Sequence, residues 1–201
     1  MISDLINFEF NPNVAPTDRS PAFFAGIDEK PIARLGSFGF NLPPKADQKG
    51  KLLINARTDN IERYFSKQLH QQRCAIPAEG FYEFRQSDAQ PFFFHRKDGQ
   101  PIWFAGIWNH TELKGDDVLG FAILTDEPND LIRPFHDRWP CIISSPNDWL
   151  QAGSRPLEAL TPIDIDLMAV RPVNRAVNRS AEKDLARIEA PPELPAQKSL
   201  F

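Results

Sequence analysis

Cysteine is scarce in this sequence, with only Cys74 and Cys141 among 201 residues. Two cysteines provide no disulfide framework, and these two do not lie in a metal-binding spacing. A disulfide-stapled secreted fold and a cysteine-based zinc module are therefore excluded. We expect a protein of a reducing cytoplasm that uses no metal and no other cofactor.

Long apolar runs and an excess of positive charge are also missing. No segment approaches the roughly 20 apolar residues of a membrane-spanning helix. Asp4 and Glu9 stand where a secretory leader would have a basic start. A formal net charge of −4 argues against binding nucleic acid through bulk positive charge, so a DNA site would need a local basic patch.

Phenylalanine and proline, in contrast, are abundant: the chain has 16 Phe and 19 Pro but 2 Tyr. This composition favours many short strands that end in turns. The predicted fold is α+β, with a mostly antiparallel, barrel-like twisted sheet and peripheral helices. A chain of this length predicts a single domain over residues 1–201, with 1–12 and 190–201 as loose termini.

Local patterns predict individual elements. Residues 1–24, rich in proline, are predicted as loop, and a hairpin is predicted over Phe23 to Arg34. A helix is predicted after Asp59, because the following apolar residues share one helical face: Ile61, Tyr64, Phe65 and Leu69. Asp98-Gly99 is typical of a β-hairpin turn, and residues 126–133 are predicted as one short helix.

The segment Arg73 to Arg85, RCAIPAEGFYEFR, has the most informative pattern. Two alternating runs flank Gly80, as two strands joined by a turn would. In a strand, Phe81 and Glu83 share one face. A carboxylate among aromatic side chains is costly to bury unless a partner meets it, so Glu83 is a candidate functional residue.

Two other segments place polar residues directly after an apolar run. Asn55 follows one such run, and His136 follows another. Asn, Glu and His side chains supplied by three separate segments are what an acid/base site requires. Each residue also has a structural alternative: Asn55 could satisfy a turn, Glu83 could be a solvated strand residue, and His136 could bind a backbone carbonyl.

Four blocks of the sequence together resemble the SOS-response-associated peptidase family, the abasic-site processing proteins. The blocks occur in the family's order: Asn13 to Thr17, Asn55 to Arg57, Arg73 to Phe84, and His136 to Pro140. The resemblance implies a monomeric protein of the bacterial cytoplasm and nucleoid, with single-stranded DNA containing abasic sites as its partner. It also implies covalent reaction with the abasic-site aldehyde and self-processing of the N-terminus.

The resemblance assigns roles to five residues. Asn55, Glu83 and His136 match the family's catalytic residues: Asn55 orients the amine and the opened sugar, and the other two transfer protons. Arg57 and Arg138 match arginines expected at DNA phosphates, a contact that suits the bidentate guanidinium. A surface ion pair is the alternative reading for these arginines.

The family's nucleophile is a cysteine directly after the initiator methionine, whereas this sequence reads Met1-Ile2-Ser3. In the family, the amine of that cysteine forms an imine with the aldehyde, and its thiol closes a thiazolidine ring. The departure leaves two alternatives: the true start lies elsewhere, or the chain is a diverged member. A non-catalytic DNA-binding module is thus a second hypothesis, and a hydrolase using Cys74, His136 and Asn55 is a third.

Overall fold

The structure, a computed structural model, describes residues 10–25, 30–43, 50–151 and 153–191. The loose termini predicted for 1–12 and 190–201 therefore lie almost wholly outside the described residues. The same holds for the turn of the hairpin predicted over Phe23 to Arg34, although the strands on its two sides are described and do pair with each other.

The described strands are β1 (Arg19–Phe24), β2 (Ile32–Phe38), β3 (Phe40–Leu42), β4 (Lys51–Leu53), β5 (Asn55–Arg57), β6 (Arg73–Ala78), β7 (Gly80–Phe84), β8 (Pro91–Arg96), β9 (Ile102–Leu113), β10 (Asp116–Asp126), β11 (Trp139–Pro140) and β12 (Met168–Pro172). The α-helices are α1 (Ile61–Gln71), α2 (Pro146–Leu150) and α3 (Leu185–Glu189). Short 3-10 helices cover Thr58–Asn60, Pro156–Ala159, Ile165–Leu167 and Arg175–Asn178.

Five strands close into a barrel in the order β10, β2, β1, β6 and β9, because β9 pairs back onto β10. Strand β10 runs parallel to β2 and β5, while the other pairings of this sheet are antiparallel. Both β5 and β11 attach to the C-terminal part of β10. The predicted α+β class and the mostly antiparallel, barrel-like sheet with peripheral helices are confirmed.

Side-chain alternation along the barrel strands produces two apolar layers. One layer lies inside the barrel and includes Cys74 and Ile76 of β6 together with Phe104 and Phe121. The other layer lies outside, where small strand residues let the helices pack closely. Its members include Ala75, Ala105, Ala122, Ile61, Leu69 and Trp149.

A second, three-stranded antiparallel sheet has the order β12, β8 and β7, so β7 forms its edge. Alternation along β7 directs Phe81 to the barrel layer and Tyr82 to a small cluster containing Val177 and Ile188. The second sheet therefore packs between the barrel and the C-terminal segment. In the described ranges, no helix is both long and apolar enough to cross a membrane.

The hairpin predicted at Asp98-Gly99 is wrong. A turn does form there, with Gly99 at φ +71°, but β8 and β9 on its two sides belong to different sheets. Strand β8 pairs with β7 and β12, whereas β9 pairs with β6 and β10. Tertiary strand pairing thus overrides the local turn signal.

Other local predictions had mixed outcomes. Residues 19–24 form β1 rather than loop, because β2 and β6 provide partners on both sides. Residues 126–133 do not form a helix: the Asn129 side chain accepts the N–H groups of Leu131 and Ile132 and makes a turn instead. The helix predicted after Asp59 is confirmed as α1, although Tyr64 on its expected apolar face is 58% exposed.

Candidate functional site

A cavity of about 840 Å³ lies where the barrel end, the edge strand β7 and the N- and C-terminal segments meet. All five residues singled out in the sequence line it, namely Asn55, Arg57, Glu83, His136 and Arg138. The barrel layer supplies apolar wall at Ile76, Phe104 and Phe121. The structure therefore brings side chains from three distant segments around one opening.

Strand β7 delivers Glu83 to the cavity. Phe81, two residues earlier on the same face, stacks on Phe94 at a centroid distance of 4.9 Å. Gly80 permits this close pairing with β8, since a Cβ there would lie 2.1 Å from the Phe94 carbonyl oxygen. Burial raises the pKa of the Glu83 carboxyl. The electrostatic effect of His136 and the hydrogen bond from the Phe84 N–H both lower this pKa, but the effect of burial is larger. Glu83 can therefore hold a proton more readily than an ordinary glutamate.

His136 lies at the end of the turn that replaces the predicted helix. Its backbone N–H donates to the carbonyl of Ile132, a fully buried residue that fixes the turn. The ring Nδ1 accepts the Arg138 N–H at 3.0 Å and also lies 3.2 Å from the exposed Asp137 carboxylate. These two contacts require opposite protonation of Nδ1. The Arg138 N–H can only donate, so this contact fits the tautomer with its proton on Nε2, whereas the Asp137 carboxylate is 85% exposed and screened by water.

Asn55 and Arg57 lie on β5, which pairs in parallel with the end of β10. Both side chains are exposed, while Ala56 between them is buried in the outer layer. The Arg57 Nε donates to Asp59 Oδ1 at 3.1 Å and its Nη2 donates to Oδ2. This bidentate pair raises the pKa of Arg57 and lowers that of Asp59. Arg57 is therefore already held by a carboxylate.

Arg138 has a different environment, since its side chain is only 12% exposed. Its Nη2 donates to the Thr125 carbonyl at 2.7 Å and its Nη1 to Glu127 Oε1 at 3.1 Å. Its buried Nε has no hydrogen-bond partner among the described residues. The surface ion pair considered from the sequence thus exists, but the guanidinium itself is mostly buried beside the cavity.

Residues of the N-terminal segment line the same cavity, and reasoning from the sequence assigned them no role. Asn13 is buried, and its amide donates to the carbonyls of Val177 and Arg179, both at 3.1 Å, and of Glu182 at 3.3 Å. Tyr82 donates its hydroxyl to the Pro12 carbonyl at 3.0 Å. These hydrogen bonds hold residues 10–16 against β7 and the C-terminal segment, where they form one wall of the cavity. The block beginning at Asn13 was visible in the sequence, but its partners some 160 residues away were not.

An ion pair between Lys183 and Asp18 also supports this wall. Lys183 donates to the Asn13 carbonyl and, at 2.7 Å, to Asp18 Oδ2. Burial opposes ionisation of Asp18, but hydrogen bonds from Lys183, the Ala15 N–H and Asn11 outweigh it and lower its pKa. The N- and C-terminal segments therefore support each other beside the cavity.

The third hypothesis, a hydrolase that uses Cys74, is wrong. Cys74 is completely buried, and burial raises its pKa well above the ordinary thiol value. Within the described part of the chain, neither Cys74 nor Cys141 lines the cavity. Both residues pack as small apolar side chains, and neither supplies a thiolate at neutral pH.

The described residues contain no group of three or more His, Cys, Asp or Glu side chains arranged to hold a metal ion. The lining of the cavity includes a carboxyl of raised pKa, a histidine and an asparagine beside apolar walls, with two arginines at one side. Such a set can transfer protons, hydrogen-bond a sugar and contact an anion.

Comparisons with known proteins give one consistent result. The family model for the SOS response associated peptidase (SRAP) matches residues 3–180. The abasic site processing protein YoqW of Bacillus subtilis (strain 168) is 31% identical over 201 aligned positions, covering 90% of this chain and 88% of that protein. The abasic site processing protein YedK of Escherichia coli (strain K12) is 31% identical over 145 positions, covering 65% of each chain.

Solved structures agree with these matches. A crystal structure of a Bordetella bronchiseptica protein superposes with a TM-score of 0.69 at 25% identity, covering 83% of this chain and 90% of that one. A Bacteroides thetaiotaomicron protein gives a TM-score of 0.69 at 19% identity, covering 89% of this chain and 82% of the other, and shows likeness of fold alone.

Proposed function

Because the chain belongs to the SOS response associated peptidase family, we propose that it is an abasic-site processing enzyme that acts on single-stranded DNA in the cytoplasm as a monomer. One observation carries this proposal: Asn55, Glu83 and His136, from three separate segments, line a single cavity. The cavity is large enough for a damaged nucleotide, since ligand pockets commonly range from about 300 to 1,000 Å³.

The proposed reaction begins with the ring-opened sugar of the abasic site. An amine of the protein attacks the aldehyde carbon, a carbinolamine forms, and loss of water gives an imine. Departure of that hydroxyl group as water requires an acid, and the raised pKa of Glu83 suits it to donate this proton. In the preceding ring opening, His136 would give one proton to the ring oxygen and take the proton that leaves the anomeric hydroxyl group.

The other two roles concern binding. The Asn55 amide can donate to the sugar hydroxyl and accept from the amine. Arg57 and Arg138 would contact the phosphates that flank the abasic site, which uses the fork geometry of the guanidinium. The apolar walls favour a position without a base, because an intact base carries polar edges that these walls cannot hydrogen-bond.

The test mixes the full chain with a single-stranded oligonucleotide carrying one natural abasic site. Denaturing gels with and without borohydride separate a stable adduct from a transient imine, which is trapped only after reduction. We expect adduct formation to fall about 10²-fold or more in Glu83→Gln and in His136→Asn, the usual cost of removing a proton-transfer group.

Matched controls use residues that lie away from the cavity. Glu158→Gln and His110→Asn change the same residue types in exposed ion pairs with Arg155 and Asp117, and both should react like the wild type. Equal adduct formation by all four variants would refute the assignment of Glu83 and His136. Absence of both adduct and binding in the wild type would refute the proposed function.

One observation favours a second candidate, a non-catalytic module that binds single-stranded DNA in the same cavity. The two cysteines of the sequence are both buried, so neither offers a thiol that could close a ring on the imine. The same experiment separates the candidates, because this module would bind the oligonucleotide without forming an adduct under either condition.

A further inference from the structure

Each of the two cavity arginines is already paired with an exposed carboxylate. Arg57 forms a bidentate pair with Asp59, and Arg138 pairs with Glu127. Asp59 is 44% exposed and Glu127 is 79% exposed. A phosphate that approaches either guanidinium therefore competes with a carboxylate for its charge and for part of its donor fork, and both carboxylates have solvent into which they can move.

The two pairs form one cluster around the end of β10. Arg57 is the register partner of Thr125 on the parallel strand β5, and Arg138 donates to the Thr125 carbonyl. The charges also act across the pairs, because Glu127 influences Arg57 and Arg138 influences Asp59. Both arginines thus lie at the same side of the cavity, each beside its own acid.

We propose that Asp59 and Glu127 are specificity-determining residues that occupy Arg57 and Arg138 until a correctly placed phosphate displaces them. This inference rests on the proposed function and adds residues that it does not assign. An exposed ion pair contributes little free energy, so a phosphate held in place by the rest of the cavity can displace it. A loosely approaching polyanion gains less, because it must compete with a carboxylate that is already in position.

The expected effects can be estimated from the value of an exposed pair. In Asp59→Asn and in Glu127→Gln the side chain keeps its shape but no longer competes as an anion. Each change should tighten binding to a single-stranded oligonucleotide by about two- to five-fold, the range that corresponds to exposed ion pairs. The double variant should approach the product of the two effects, since different arginines are released.

Salt dependence provides a readout that a merely structural role would not move. In the wild type, the displaced carboxylate takes up a cation when phosphate replaces it, which offsets part of the counterion release. Without that carboxylate, the slope of log Kobs against log salt should steepen by up to about 0.7 for each freed arginine on single-stranded DNA.

The experiment measures fluorescence anisotropy of the full chain with an oligonucleotide that carries one tetrahydrofuran abasic analogue, over a series of KCl concentrations. This analogue lacks the aldehyde, so binding is measured without covalent reaction. Asp98→Asn is the matched control, because Asp98 pairs with Arg96 in the same bidentate i, i+2 geometry away from this cavity. It changes the net charge equally and should leave both affinity and slope unchanged.

The outcomes separate the inference from the proposed function. Tighter binding and a steeper slope in Asp59→Asn and Glu127→Gln support the inference, provided that Arg57→Gln abolishes the effect of Asp59→Asn. Unchanged or weaker binding in both variants, with wild-type binding intact, overturns the inference and leaves the proposed function standing. No binding of the analogue by the wild type would overturn the inference, and it would overturn the proposed function as well if the natural abasic site also gave no adduct.

Discussion

Replacement of Arg73 should destabilise the protein more than any surface arginine can. Arg73 is 5% exposed, yet its guanidinium donates to the C-terminal carbonyls of two helices. Its Nη1 bonds Leu69 and His70 of α1 at 2.8 and 2.9 Å, and its Nε bonds Trp149 of α2 at 2.9 Å. Because helix ends leave their last carbonyls without intrahelical partners, this one side chain satisfies both helices at once.

The magnitude follows from these bonds. In Arg73→Met the volume is largely retained, but the Leu69 and Trp149 carbonyls lose a charged donor in a buried site. Each buried acceptor left without a partner costs about 1–3 kcal/mol, so the loss at these two carbonyls is about 2–6 kcal/mol. We therefore expect a loss near the middle of this range, about 3–5 kcal/mol in the free energy of unfolding, or roughly 6–20 °C in Tm for a chain of this size.

The assay is urea unfolding followed by circular dichroism, with calorimetry for Tm. Arg155→Met is the control, because Arg155 is 77% exposed and pairs with the exposed Glu158; its change should stay within about 0.5 kcal/mol. Arg73→Lys keeps the charge without the fork and should lie between Arg73→Met and the wild type. A loss below about 1 kcal/mol in Arg73→Met would refute the reasoning, since the helix carbonyls would then find other partners.

Three further predictions concern residues near the site. Glu83→Gln should stabilise the protein at neutral pH, because burial raises the pKa of Glu83 and wild-type stability therefore falls as the pH rises through that pKa. The stability gained by the variant should vanish below pH 4.5, the ordinary pKa of the group, and a gain that stays constant with pH in unfolding experiments would contradict the reasoning. Gly80→Ala should lose about 2 kcal/mol or more by denaturant unfolding, since its Cβ would lie 2.1 Å from the Phe94 carbonyl oxygen; full stability would contradict the packing. Cys74 and Cys141 should resist a thiol reagent in the native protein and react after denaturation, because both are buried; rapid native labelling would contradict their burial.

The fold class was predictable from composition and alternation, while several connections were not. The alternation on each side of Gly80 gives β6 and β7, and it correctly separates Phe81 from Tyr82. Nothing in that local pattern indicates that β6 belongs to the barrel whereas β7 joins a different sheet. The hairpin prediction at Asp98-Gly99 was wrong for the same reason. A turn sequence indicates the backbone conformation of the turn, but it does not indicate which strands pair with those beside it.

The candidate site shows the same division. The family resemblance picked out five side chains that the structure brings to one cavity, and their roles stay predictions. The sequence did not reveal the partners of those side chains, such as Glu127 for Arg138, or the partners of the cavity wall, such as Val177 for Asn13. Asn13 and Val177 are 164 residues apart, and Glu127 is joined to Arg138 by an irregular turn that the sequence predicts as helix, so only the folded arrangement could reveal these contacts.

The cavity has two electrostatically different regions, one around Glu83 and one around the paired arginines. Glu83 lies on a strand packed against aromatic rings, and burial favours its uncharged form. Arg57 and Arg138 lie at the end of β10, each neutralised by a carboxylate that solvent reaches. A ligand that is neutral at its centre and anionic at its flanks meets both demands: its centre avoids a buried charge, and its phosphates replace acids that are easily released. A nucleotide that has lost its base within a single strand has this distribution, whereas a free anion placed beside Glu83 would face an unfavourable apolar wall.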